Sequence, residues 1–296
     1  MNIALATCTE LPGWEVDDKP FHQALDARDI SFTLAAWDDP SVQWDRFDAC
    51  LIRTTWNYME QSEAFVQWVR RTAQVTRLYN SSAVIEWNAH KGYLKGLAEA
   101  GVPIAPTVWL PKGTAIDVVQ CMKEQGWTRG FIKPLVGACA FETLRFDCDA
   151  AGLHAAQEHL DRTLQTHDMM IQPYLPRVEV DGEVSFLFFD GQLSHAVQKV
   201  PVAGDYRVQD DFGASDHPYE YTAQQLSVAQ DVLAKAEALR PDSGAEPLLY
   251  ARADFLFGND GNLLLTELEL IEPSLFFRHS KTAPGMLADA LYRRLG

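Results

Sequence analysis

The 296-residue chain has no apolar run long enough to cross a bilayer, so a membrane-spanning helix is not expected. Its first residues, Met1-Asn2-Ile3-Ala4-Leu5-Ala6-Thr7-Cys8, lack the basic lead of a signal peptide and read as a β-strand, which points to the cytoplasm. Cysteines are few and scattered: Cys8, Cys50, Cys121, Cys139 and Cys148. No two have CxxC spacing, which argues against a zinc site or a redox dithiol and leaves free thiols as the plain reading. Positive charge is scarce, 25 Lys and Arg against 41 Asp and Glu, for a formal net charge of -16. Nucleic acid requires a basic surface, so it is not an expected partner. An anionic small ligand fits only a pocket that concentrates the few cations. No GxGxxG follows the first strand, so a Rossmann-type dinucleotide site has no support there.

What is present is ordinary globular composition, 47% hydrophobic and 22% charged, in a chain long enough for two or three subdomains. Strand patterns at 2–7, 31–36 and 49–54 alternate with helical spacing at 19–27 and 60–72, the order of a small parallel α/β domain. Asn80-Ser81-Ser82 reads as a helix cap or link. A helix is predicted over residues 89–100, stopped by Gly101 with Pro103 beyond. Strands are predicted at 107–110, 131–133 and 143–146, and helices at 115–125 and 150–166. After Met169 the chain turns β-rich: 183–189 and 192–200 flank Asp190-Gly191, a strong hairpin signal. A loop over 201–221 precedes a helix at 223–239 and a last hairpin, 248–257 with 262–270. The expected domains are 1–87, 88–175 and 176–296.

The last hairpin carries the sharpest pattern. With Asn259-Asp260 as its turn, Gly258 opposes Gly261. Side chains alternate along a strand, so Arg252 and Asp254 then share a face with Glu267 and Glu269. Ala253, Phe255, Phe257, Leu264, Leu268 and Leu270 would form the core face. A solvated face with one salt bridge explains the three acids as well as a magnesium site does. Magnesium takes oxygen ligands, commonly a few carboxylates with phosphate oxygens, and clustered acids repel without a cation. Three lysines stand out upstream: Lys91 early in the 89–100 helix, Lys133 before Pro134 and the loop Leu135-Val136-Gly137-Ala138-Cys139-Ala140, and Lys199 at a strand end. Each alone is an ordinary surface lysine.

In order, Lys91, Lys133-Pro134, Gly137, Gln172-Pro173-Tyr174-Leu175, Glu183, Lys199, Arg252, Asp254 and Glu267-x-Glu269 resemble the ATP-grasp superfamily of ligases, over roughly residues 88–275. Three further stretches are similar to the branch containing O-ureido-serine cyclo-ligase, the last enzyme of cycloserine biosynthesis. They are Arg53-Thr54-Thr55-Trp56-Asn57-Tyr58, Gly204-Asp205-Tyr206-Arg207-Val208-Gln209 and Glu269-Leu270-Ile271-Glu272-Pro273-Ser274. The sequence departs from the pattern in having one glycine in the phosphate loop, and Glu269 where relatives often have Asn.

The resemblance implies an α/β ATP-grasp fold behind an N-terminal parallel α/β domain. It implies ATP and Mg2+ as cofactors, with Asp254, Glu267 and Glu269 as metal ligands. Lys91, Lys133, Gly137, Gln172, Tyr174, Leu175, Glu183 and Lys199 would hold the nucleotide. Arg252, Arg207 and Lys199 would serve the phosphoryl chemistry. A small amino-acid-like carboxylate would become an acyl phosphate and then form a C–N bond. Arg207 suits a carboxylate or acyl phosphate by its guanidinium fork; an ordinary polar loop is the alternative for its neighbours, which otherwise form a lid. Arg53, Trp56 and Tyr58 stand at a strand end, where α/β folds place ligands, and join Glu272 and Ser274 as substrate candidates; capping the domain core explains the two aromatics equally. Intermolecular ligation, as in relatives of glutathione synthetase, and a non-catalytic ATP-binding module remain alternatives. The sequence does not speak to oligomeric state, so a homo-oligomer stays open.

Overall fold

In a computed structural model, which describes every residue except 12–13, 138–139 and 210–211, three sheets divide the chain. The N-terminal sheet is parallel, in the order β2-β1-β3-β4, built from β1 (Asn2–Thr7), β2 (Ser31–Ala36), β3 (Ala49–Thr54) and β4 (Arg77–Tyr79). Helices α1 (Lys19–Asp26) and α2 (Ser62–Thr72) make its crossovers. Parallel strands need such covering helices, and β3 is accordingly buried at every position.

The predicted 89–100 helix is shorter, α4 (Tyr93–Glu99), and a second helix, α3 (Ser82–Asn88), lies before it, with a break between them. Ser81 caps α3, its hydroxyl accepting from the Val84 amide. Lys91 lies in the break, not within a helix.

The central sheet is antiparallel, β5-β8-β6-β7, from β5 (Val108–Leu110), β6 (Arg129–Pro134), β7 (Leu144–Asp147) and β8 (Met169–Pro173). Helices α5 (Val118–Gln125) and α6 (Ala150–Thr163) back it, sealing a separate core around Ile132, Phe146, Leu160 and Ile171. A one-turn helix, α7 (Val178–Asp181), leads to the third sheet, also antiparallel.

That sheet runs β11-β10-β9-β12-β13, from β9 (Glu183–Phe189), β10 (Gln192–Val200), β11 (Ser215–Pro218), β12 (Tyr250–Phe257) and β13 (Leu263–Glu269). Strand β11 lies within the stretch read as loop. Helix α8 (Ala223–Leu239), opened by a Thr222–Gln225 capping box, covers one face. The other face packs on the N-terminal sheet through Leu187, Phe189, Tyr250 and helix α9 (Ala283–Leu295), which also lies on α1. Among the described residues no helix is long and apolar enough to cross a membrane.

Candidate active site

The β12–β13 hairpin reaches the expected facing by a different route. Gly258 opposes Asn262, not Gly261, and β12 positions 255–257 pair with 265–263. The turn therefore differs from the assumed one by a residue, which alone would move every β13 side chain to the opposite face. A bulge between Asp254 and Phe255 on one strand, Leu265 and Glu267 on the other, restores the alternation. Arg252 then pairs with Glu269 and Asp254 with Glu267, on one face. The bulge corrects the core assignment: Leu263 and Leu265 are buried, and Leu264, expected inside, is only partly so.

Edge strand β13 has no strand beyond it, and side chains from the α3–α4 segment take that place. Asn88 donates to the Leu268 carbonyl (2.7 Å) and accepts from the Leu270 amide (2.9 Å). The Tyr93 hydroxyl donates to the Leu268 carbonyl (3.0 Å) and accepts from the Leu268 amide (2.9 Å). These contacts satisfy buried backbone groups and fix the strand carrying Glu267 and Glu269. The helix break lies between the two anchors, so Lys91 meets Glu267 at 2.8 Å and donates to the Gly137 carbonyl at 2.5 Å. The neighbouring phosphate-loop residues Ala138 and Cys139 lie outside the described residues.

Asp254 is 2% exposed. Burial alone would push its carboxyl up; the Arg252 guanidinium, Lys199 and a 2.6 Å bond from Ser185 hold it down at about 2. Arg252 divides its donors between Asp254 (3.0 and 2.9 Å), Glu269 and the Ser274 carbonyl (3.1 Å). Lys199 pairs with Glu183 and lies 3.4 Å from Asp254. Gly182 makes the Glu183 placement possible: a Cβ there would meet the Lys199 carbonyl oxygen at 2.1 Å. Lys133, by contrast, reaches only the Thr266 carbonyl among the described residues, at 3.4 Å, and burial pulls its ammonium down to about 8. Ser185 and Thr266 were not singled out from sequence; the signal for Ser185 was its place opposite Asp254 on the neighbouring strand.

Of these groups Lys91, Lys133, Glu183, Thr266 and Glu267 line one end of a cleft between the central and C-terminal sheets, with about 950 Å³ of empty space counting its open mouth. Gln172, Tyr174 and Leu175 line its far wall with Phe131 and Val178. The Gln172 amide donates to the Thr107 hydroxyl at 2.9 Å. Tyr174 donates to Glu179 at 2.5 Å and is stacked by Arg129, 4.4 Å from its ring centre. Residues 206–209 close over this wall: Tyr206 meets Phe131 and Tyr174 edge-on, and Val208 is buried against Tyr174. Arg207 reaches the cleft, held by Asp205 at 2.7 Å and lying 3.8 Å over the Phe212 ring.

The substrate candidates meet at the junction of the N-terminal sheet with the segment after β13. Arg53 does not present a free guanidinium. It binds both oxygens of Asp18 (2.9 and 2.8 Å) and the Pro273 carbonyl (3.3 Å). The Trp56 indole donates to the Glu272 carbonyl at 3.2 Å, and Ser274 offers its carbonyl to Arg252. Tyr58 is buried, and burial followed by the nearby Glu272, Glu267 and Glu269 carboxylates raises its hydroxyl well above the ordinary range. Burial, then Glu269 and Glu267, push the Glu272 carboxyl up to about 8.

Among the described residues no three His, Cys, Asp or Glu side chains sit together in ligating geometry, because each acid of the hairpin is turned to a cation. The donor set nonetheless suits a hard divalent ion: all three offer carboxylate oxygen. Burial, with Asp254 and Glu267 nearby, leaves Glu269 at about 7 despite Arg252, a cost that an added cation would relieve.

A three-sheet chain whose cleft between the central and C-terminal sheets ends in an acid hairpin with lysines beside it has the architecture of an ATP-grasp ligase. Comparison with known proteins agrees. Residues 3–80 match the N-terminal domain of D-cycloserine synthetase DcsG, and residues 114–240 match the ATP-grasp domain of prokaryotic glutathione synthetase. The chain is 31% identical to the cycloserine biosynthesis protein DcsG of Streptomyces lavendulae, over 99% of this chain and 98% of that protein. It is 27% identical to the glutathione synthetase of Prochlorococcus marinus, over 75% of this chain and 65% of that one. The crystal structure of D-cycloserine synthetase DcsG superposes with a TM-score of 0.90 at 28% identity, covering both chains fully. D-alanine–D-alanine ligase from Bacillus anthracis shares the fold alone, TM-score 0.70 at 15% identity, over 99% of this chain and 96% of that one. The chain belongs to the DcsG family of ATP-grasp ligases. It is therefore an ATP-dependent C–N ligase.

Proposed function

We propose that the protein phosphorylates the carboxylate of a small amino acid with ATP and closes a C–N bond within that molecule, converting O-ureido-serine to the cycloserine ring. The observation that carries this reading is the cleft end itself. In an acidic protein, four cations, Lys91, Lys133, Lys199 and Arg252, converge on the hairpin acids in a chain that resembles DcsG along its whole length.

Lys91, Lys133 and the Gly137 loop would take the phosphates. Gln172, Tyr174 and Leu175 would line the base, with Glu183 and Lys199 at the sugar and phosphate edge. Asp254, Glu267 and Glu269 would hold Mg2+, which when bound supplies charge neutralisation along the phosphates. A substrate carboxylate oxygen attacks the γ-phosphorus and ADP leaves. The ureido nitrogen bonded to the side-chain oxygen then attacks the acyl carbon, loses its proton, and phosphate departs; water cleaves the carbamoyl group from the ring nitrogen, releasing carbon dioxide and ammonia and leaving the cycloserine ring. Arg252 and Arg207 face the charge that moves in these steps. Residues 205–208 shield the acyl phosphate from water. Trp56, Tyr58, Glu272 and Ser274 bound the substrate end, while Arg53 holds the 272–274 segment for them. The site asks for no protein nucleophile and no macromolecular partner.

The test is incubation of the purified protein with ATP, Mg2+ and O-ureido-serine alone, following ADP release and product mass. A cyclic product without any second amine is expected. ADP release only when a second amino acid is supplied would favour intermolecular ligation, the chemistry named for the glutathione synthetase relatives.

A further inference from the structure

Nine charged side chains gather where the cleft meets the N-terminal sheet: Lys91, Lys133, Lys199, Arg252, Glu183, Asp254, Glu267, Glu269 and Glu272. Seven of them pair among themselves. Lys91 takes Glu267, Lys199 takes Glu183 and Asp254, and Arg252 takes Asp254 and Glu269. Two stand apart among the described residues. Lys133 has only a carbonyl partner, and Glu272 has no Lys, Arg or His within ion-pair distance. Lys133 lies on the nucleotide side, where triphosphate supplies anions. Glu272 lies at the opposite end, between Tyr58 of the N-terminal domain and the hairpin acids.

Glu272 is also fixed in place. Its backbone carbonyl accepts from Trp56, the next carbonyl, of Pro273, accepts from Arg53, and the next, of Ser274, accepts from Arg252. Three consecutive carbonyls are thus held by side chains from both domains, which sets the Glu272 side chain rigidly at the junction. A partly buried carboxyl crowded by like charge and lacking a cation is unfavourable as an anion, and an incoming ammonium relieves that.

We infer that Glu272, positioned by Trp56 and Arg53, is the counter-ion for the α-ammonium of the substrate, and that the site therefore selects a zwitterionic α-amino acid over a simple carboxylic acid. This rests on the ligase reading above and assigns the substrate end of that site. The ammonium is recognised and not consumed, so Glu272 acts on binding and orientation of the substrate, with no proton transfer required of it. Buried Tyr58 stands on the N-terminal side of the same carboxyl.

The experiment compares O-ureido-serine with the same molecule lacking its α-amino group, at saturating ATP and Mg2+, by ADP release. For the wild type, kcat/KM is expected to be at least ~10-fold higher for the ammonium-bearing substrate, the scale of one charge-assisted hydrogen bond. In Glu272→Gln, KM for the amino acid should rise ~10-fold or more while KM for ATP stays unchanged, and the preference between the two substrates should collapse. Equal turnover of both substrates by the wild type overturns the inference while leaving the ligase reading intact. A Glu272→Gln variant whose ATP KM rises in step, or whose preference persists, also overturns it. Absence of ADP release from either substrate in the wild type counts against the ligase reading, and binding of the two amino-acid probes by calorimetry then tests Glu272 separately: equal affinity overturns the inference and tighter binding of the zwitterion supports it. If Glu272→Gln does not fold, the wild-type preference decides the matter alone.

Discussion

Arg53 on β3 and Arg252 on β12 are both buried, 2% and 7% exposed, and both stand beside the same post-hairpin segment. Their partners differ in kind. Arg53 meets one carboxylate, Asp18, with two parallel bonds, and a carbonyl. Arg252 shares itself between two carboxylates, one of which also faces Lys199. A one-to-one bidentate pair is closed and holds structure. A shared network, with several acids and cations at similar distances, can exchange partners when phosphate or a cation arrives. The two regions show that a buried arginine is a brace or a working group according to how many acids compete for it.

The sharpest way to break this comparison is Glu267→Gln. Turnover should fall ~10²–10³-fold, the cost of removing one preorganised electrostatic group, with the thermal midpoint near wild type. ADP-release kinetics and a melting curve check both halves, and wild-type turnover would remove Glu267 from the machinery. Next in size is Asp18→Asn, which strands the Arg53 charge in the interior. Denaturant unfolding should show a loss of ~3–5 kcal/mol, with kcat of the folded enzyme little changed. Lost activity at full stability would instead place Arg53 in the site.

Lys133→Ala should raise KM for ATP by about 10- to 100-fold, a charged hydrogen bond of ~1.5–3 kcal/mol, without moving KM for the amino acid. Initial-rate measurements with each substrate varied in turn test this. The smallest expected effect is on pH. Glu269 and Glu272 are raised in the folded chain to about 7 and about 8, from an ordinary 4.5, so the native state binds more protons across that window. Stability of the ligand-free protein should therefore fall as pH rises from about 4.5 to about 8 through these groups. Asp254 works the other way: its contribution is present above the ordinary 3.8 and is lost as pH falls toward about 2. Chemical denaturation from pH 5 to 8.5 measures the slope, and Glu272→Gln should flatten its upper part.

Much of this was legible from residue order, and the departures have identifiable physical sources. The α8 bounds and the β9–β10 hairpin follow from a capping box and an Asp-Gly turn, both local signals. The acid face was legible too, although its turn was misassigned by one residue, because the bulge near Thr266 offset the slip. No local rule announces such a bulge. The break that frees Lys91 depends on Asn88 and Tyr93 bonding to a strand some 180 residues away. The Arg53 partner was not legible, because Asp18, 35 residues earlier, looks like an ordinary surface acid in sequence. Helix α9 was not identified, although its Pro284 near the start and Leu287, Ala288 and Leu291 spacing are an ordinary amphipathic signal.

That last helix bears on how the chain is made. Leu287, Ala288 and Leu291 complete the same core as Ile3, Leu5, Phe21 and Leu25. Strand β1 thus waits, with part of its apolar face uncovered, for a helix translated long after it. Domains usually fold one by one from the N-terminal end during synthesis. Here the earliest segment should be among the last to become resistant to protease on a stalled nascent chain, whereas the central sheet, with its own core, should protect itself as soon as α6 and β8 emerge.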